Sequence, residues 1–233
     1  MARRTGEIGA AASLVAALAG LATVLPSQAS AAPVTRPAIF PTPVSMTLTT
    51  GTLTLGTSVV LVAAPGTDPD TVALVRTILA AAGVTTITEA RRLPTAPDRL
   101  HIVLGVGDAG VVRDALARSS AKLDTQAEGY TIASLAAGAG IITLAGHDSD
   151  GLFHAVQTFR QLATRPVLPA LVIQDHPAMP IRGTIEGFYG APWSMADRTR
   201  HLDFLATVKA NTYVYSPKDD PYARDRWREA YPA

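Results

Sequence analysis

Apolar residues in this sequence switch period repeatedly, from every second position to every third or fourth, and this switching most limits the folds open to it. Gly51-Thr-Leu-Thr-Leu-Gly56 alternates and Ser58 to Ala63 is a β-branched run, so both read as strands. Asp68-Pro69 is a helix N-cap followed by proline at the first helical position. Val72, Val75, Ile78, Leu79 and Ala82 then recur at helical spacing until Gly83 ends the helix. Val84 to Thr88 and Leu100 to Leu104 read as strands, and Asp108 to Ser119 as a helix. Tyr130 to Leu135 and Ile141 to Leu144 read as paired strands about the turn Gly138-Ala139-Gly140. Asp148 or Ser149 caps a helix with Leu152, Val156, Phe159 and Leu162 on one side, and Val172-Ile173 is a short closing strand. Such alternation predicts a compact α+β domain over residues 32–176, entered through the extended, proline-rich stretch Pro33 to Pro43.

Asp175-His-Pro-Ala-Met-Pro180 reads as a linker, and the pattern changes after it. Arg182 to Phe188 is a strand candidate. Ser194 with Asp197 is a capping-box-like helix start, with Leu202, Leu205 and Val208 as the buried stripe. Asn211 to Tyr215 is a second strand, and Pro221 opens a helical stretch that contains Trp227. A strand, a helix and a strand, followed by a further crossover, are how a (β/α)8 barrel begins, and a barrel needs eight strands. The fold class expected is therefore α/β: an α+β domain over 32–176, then over 177–233 the first βα units of a barrel whose remainder lies beyond Ala233.

The N-terminus carries Arg3 and Arg4, then an alanine-rich apolar run from Ile8 to Leu25, a break at Pro26 and small residues at Ala29-Ser30-Ala31. That is the layout of an export signal over residues 1–31, which predicts a secreted protein with no membrane partner after cleavage. A chain of 233 residues with 20 basic and 19 acidic side chains has a net charge of +1, which gives no electrostatic case for nucleic acid. The absence of cysteine excludes disulfides and thiol chemistry. The five histidines show no metal-ligand spacing, so no metal and no cofactor are expected.

Three local motifs have ordinary explanations. Gly105-Val-Gly107-Asp-Ala-Gly110 matches a dinucleotide fingerprint in letters and context, but the acidic residue near the required distance, Glu128, precedes its strand instead of ending it, so the motif reads as a strand-to-helix turn. Asp219-Asp220 suggests an acid–base pair, yet Asp220 stands where it would cap the helix begun by Pro221. Tyr189 and Trp193 offer flat apolar surface suited to a sugar face, or to core packing. What stands out is a combination. Arg182-Gly-Thr-Ile-Glu-Gly-Phe-Tyr-Gly-Ala-Pro-Trp193 and Asn211-Thr-Tyr-Val-Tyr-Ser-Pro-Lys-Asp-Asp-Pro-Tyr222 each sit at the end of a strand, where barrel enzymes gather their site residues.

Those two motifs, with Arg226-Trp-Arg-Glu229 after them, resemble glycoside hydrolase family 84, the β-N-acetylglucosaminidases that include O-GlcNAcases and proteins labelled hyaluronidases. The preceding domain is similar to the one before the barrel in that family and in the family 20 hexosaminidases. The resemblance implies retaining, substrate-assisted hydrolysis of terminal β-linked N-acetylglucosamine from glycans or glycoproteins. In it the 2-acetamido oxygen attacks the anomeric carbon, and one of two neighbouring aspartates acts as general acid and then base. It implies two substrate-binding residues here, Gly187 through its backbone carbonyl and Lys218 through its ammonium. No catalytic residue is expected within the chain, because the aspartate pair would lie beyond Ala233, and residues 1–233 alone should be inactive. Two other readings stay open: a family 20-type β-hexosaminidase, and a non-catalytic carbohydrate-binding or adhesion protein.

Overall fold

A computed structural model of the protein describes residues 35–107, 110–187, 189–216 and 218–232. The expected export signal lies outside the described residues. Ten strand residues, Ser45–Thr54 (β1), are followed by Ser58–Ala63 (β2), helix Pro69–Ala81 (α1) and Thr86–Glu89 (β3). Then come Leu100–Val106 (β4), helix Gly110–Arg118 (α2), Tyr130–Leu135 (β5), Ile141–Gly146 (β6), helix Ser149–Leu162 (α3) and Val167–Asp175 (β7). These seven strands form one mixed sheet in the order β1-β7-β5-β6-β4-β2-β3. The strands β3, β2, β4 and β6 run parallel, and β5, β7 and β1 complete the sheet by antiparallel pairing.

Local chemistry explains most element ends. The Asp68 carboxylate accepts the Thr71 amide at 2.8 Å, Pro69 fills a position that needs no donor, and Gly83 leaves α1 at φ +92°. At α3 the cap is Asp148, whose Oδ1 accepts the Gly151 amide at 2.7 Å. Both faces of the sheet are covered. One packs Val59, Leu61, Ile102, Leu104 and Ile132 against α1 and α3 around Phe159, and the other packs Val60, Val62 and Val103 against Val112 and Leu116 of α2. Gly105 belongs to this packing: a Cβ there would stand 2.5 Å from Ala64 Cβ and 2.9 Å from Val112 Cγ2. The glycine motif therefore lets α2 lie close to β4.

The closing strand is longer than expected. β7 has nine residues and lies inside the sheet between β1 and β5, although Pro169 interrupts its apolar run. Between Leu48↔Leu171 and Thr52↔Pro169 the register shifts, with extra β1 residues looped out opposite the proline. A proline is tolerated there because the ladder is already broken and no amide is required. On the other side, Ser134 Oγ accepts the Leu171 amide at 2.8 Å and substitutes for a ladder bond.

Gly183–Glu186 (β8), helix Met195–Thr207 (α4) and Thr212–Tyr215 (β9) follow, with β8 and β9 forming a separate two-stranded parallel sheet. Two expectations fail here. Of the predicted α4 stripe only Leu205 is buried, while Leu202 is 47% exposed, because no further layer covers that side of the helix among the described residues. After Pro221 there is a single 3-10 turn, Pro221–Ala223, in place of a helix, and Trp227 is exposed. Among the described residues, no helix is long and apolar enough to cross a membrane.

Candidate functional site

The β8–α4–β9 unit is in register from Gly183↔Thr212 to Glu186↔Tyr215, and the Ser216 amide extends the ladder to the Glu186 carbonyl at 3.0 Å. The strands approach so closely at their start that a Cβ on Gly183 would meet the Thr212 carbonyl oxygen at 1.6 Å, which only glycine avoids. Parallel strands in register bring both following loops out at the same end. Gly187 begins the first loop and Lys218 stands in the second.

The structure ties these loops together. The Gly190 amide donates to Asp219 Oδ2 at 2.7 Å, and the Lys218 ammonium lies 4.7 Å from the centre of the Tyr189 ring. Tyr189 is 70% exposed, so its ring is an open surface. The nearest atoms to a Cβ built on Gly187 would be Ile185 Cγ2 at 3.1 Å and Ser216 O at 3.8 Å. Trp193, by contrast, packs edge-on against His201 with ring centres 5.0 Å apart, and His201 meets Thr184 Oγ1 at 2.7 Å. Of the two aromatic candidates, Tyr189 faces the loops and Trp193 braces β8 against α4.

Beneath the loops lies a charged pair that the sequence did not single out. Glu186, the last residue of β8, is buried and receives Arg198 Nε at 2.8 Å and Nη2 at 2.9 Å. The Trp193 amide at 3.0 Å and the Tyr213 hydroxyl also donate to it. Arg198 foremost, against the opposing effect of burial, holds this carboxyl near a pKa of about 2, below its ordinary 4.5. Glu186 is thus an ionised brace with no proton to give at neutral pH. Arg198 lies twelve positions away across a strand end, a loop and a helix start, and no short-range spacing rule would have paired them.

The neighbouring aspartates also have structural partners. Asp220 Oδ1 accepts the Tyr222 amide at 2.8 Å, while Oδ2 accepts the Tyr231 and Tyr215 hydroxyls at 2.9 and 3.0 Å. Burial raises its pKa, the hydrogen bonds from Tyr231, the Tyr222 amide and Tyr215 lower it, and the net shift is downward. Asp219 holds the first loop. Among the described residues, no group of three or more histidine or acidic side chains is placed to hold a metal ion.

Two family profiles match separate stretches of the chain. Residues 36–176 match the profile described as glycosyl hydrolase family 20, domain 2, and residues 182–233 match the one described as beta-N-acetylglucosaminidase. Protein O-GlcNAcase of Rattus norvegicus is 49% identical over 49 residues, which are 21% of this chain and 5% of that protein. The solved structure of CpGH84D superposes with a TM-score of 0.73 at 26% identity, covering 85% of this chain and 33% of its own. CpGH84B gives 0.70 at 29% identity with the same coverage. The chain thus spans about a third of these solved proteins and a small part of the curated relative. Because the first profile covers more than half of its residues, the chain belongs to the glycosyl hydrolases that carry the family 20 domain 2, here joined to a β-N-acetylglucosaminidase segment of the family 84 type.

Proposed function

We propose that the whole protein is a secreted glycosidase that removes terminal β-linked N-acetylglucosamine from glycans or glycoproteins. Its chemistry is retaining and substrate-assisted, and residues 1–233 form the platform and one wall of its site. The observation that carries this reading is the emergence of the Gly187 and Lys218 loops at the same end of two in-register parallel strands, linked by the Gly190–Asp219 hydrogen bond. In it the Gly187 carbonyl accepts from a sugar hydroxyl, the Lys218 ammonium donates to others, and Tyr189 offers an apolar surface beside them. Glu186, Asp219 and Asp220 are each engaged structurally, and the resemblance to family 84 implies that the two acids of the reaction lie beyond Ala233. The second sheet is the opening of a (β/α) barrel.

The reading is tested by Lys218→Ala in the protein made from its full reading frame. A hydrogen bond to a charged group contributes about 1.5–3 kcal/mol, so KM for a chromogenic N-acetyl-β-glucosaminide should rise roughly 10- to 100-fold. Unchanged kinetics would remove Lys218 from the site. Export is tested separately by sequencing the N-terminus of protein recovered from the medium, which should begin near Ala32.

A further inference from the structure

Three described non-glycine residues have a left-handed backbone, and two of them, Glu128 at φ 57° and Lys209 at φ 61°, are charged residues standing where glycine would be easier. Both lie where the first sheet meets the second. Lys209 ends α4 in a Schellman arrangement, with its amide on Ala206 O at 3.1 Å and the Ala210 amide on Leu205 O at 3.0 Å. Helices that end this way favour glycine at that position. Here the position keeps a long cationic side chain, and buries it.

The reason lies in what the ammonium reaches. Lys209 Nζ donates to Tyr130 Oη at 2.7 Å and to Asp175 Oδ2 at 2.9 Å. The Tyr130 hydroxyl gives its single proton to Asp175 at 2.8 Å, which leaves its lone pairs for Lys209 and for Thr158 Oγ1 at 2.7 Å. Asp175 Oδ1 takes the Val44 amide at 3.1 Å. This buried network joins the strand ends of the first sheet to the turn between α4 and β9. A second contact repeats the pattern: Glu128, before β5, pairs with Arg182, just before β8, and Arg182 Nε donates to Lys209 O at 3.0 Å. Both strands of the second sheet are therefore pinned at their starting ends. β9 has four residues, roughly 13 Å at about 3.3 Å each, and the Lys218 loop emerges from its far end.

We propose that Lys209 is a positioning residue: by docking into the Asp175–Tyr130 pair it fixes β9 on the first sheet, and so fixes where Lys218 presents its ammonium. The proposal gives the family 20-type domain a task, as the foundation of the site. It rests on the reading of Lys218 as a substrate-binding residue, and its test separates the two.

The test is a double-mutant cycle in the protein made from its full reading frame. Lys209→Met keeps the stem and removes the charge. It should raise KM for 4-nitrophenyl N-acetyl-β-glucosaminide about tenfold with kcat little changed, yet add less than about twofold to Lys218→Ala. An equal factor in both backgrounds, or none in either, overturns the proposal. Amide exchange supplies an arm independent of activity. In Lys209→Met, the amides of Thr212–Tyr215 should exchange at least about tenfold faster while those of β4 are unchanged. Should wild type show no hydrolysis, the reading of the site fails and the exchange result alone decides the positioning role. Lys209→Gly, which suits the left-handed backbone, covers a failure of the methionine variant to fold. If Lys209 merely stops the helix, the glycine variant protects β9 as well as wild type does, and the proposal falls. Collapse of the first sheet in both variants also counts against it, since a role confined to docking β9 leaves that sheet intact.

Discussion

Single side chains in this protein show how burial turns a charge into a fixture. The Glu186 pKa is depressed in the folded state, so its contribution to stability is complete above its ordinary 4.5 and is lost as pH falls toward about 2. The wild-type advantage in melting temperature over Glu186→Gln should therefore be full at pH 6 and shrink steadily through that window, as thermal denaturation would record. A constant difference across the window would mean that the carboxyl is not held ionised. Tyr130→Phe removes one buried hydroxyl that serves three neighbours, while Lys209 and Asp175 keep each other. A loss of about 1–3 kcal/mol is expected in urea denaturation. Glu186 was visible in the sequence as part of a motif, but its role was not. A letter in a strand does not say which guanidinium will lie under it.

Helix caps and glycines are where elements could be read in advance. Asp68-Pro69, Asp148 and Ser194 begin helices as their side-chain chemistry requires, because a cap acts across three residues and needs no distant partner. Asp148 does more than cap, since its Oδ2 also accepts the Glu128 amide at 2.9 Å and holds that left-handed residue in place. Asp148→Ala should cost at least the usual cap value of about 1–2 kcal/mol, measurable by chemical denaturation. Gly183 offers a sharper test of element pairing. Gly183→Ala places a methyl where the Thr212 carbonyl already stands, so amide protection in β8 and β9 should fall while the first sheet keeps its own. Retained protection would show that the strands can move apart cheaply. Elements whose limits depend on a neighbour were harder to read. β7 runs from Val167 to Asp175 where the sequence suggested only Val172-Ile173, and the looped-out β1 residues opposite Pro169 explain how a strand accommodates that proline.

For the molecule as a whole, the two sheets differ in completeness. The first is covered on both faces. In the second, α4 packs on the side of Thr184 and Tyr213, while the opposite side presents Ile185 at 68% and Val214 at 41% exposure. Exposed apolar strand faces promote association. The 233-residue chain should therefore gain mass with concentration in sedimentation experiments, and Ile185→Ser with Val214→Ser should reduce that gain. The sequence by itself determined the alternating elements, their caps and the two loop motifs, because these follow from period, turn chemistry and residues within a few positions of one another. Only the tertiary structure decided that Lys209 and Arg182 dock on Asp175, Tyr130 and Glu128 at the strand ends of the first sheet, that Arg198 holds Glu186, and that Pro169 sits inside a strand. Each of these joins residues far apart along the chain or in different elements, and their strength comes from burial, which exists only once the chain has folded.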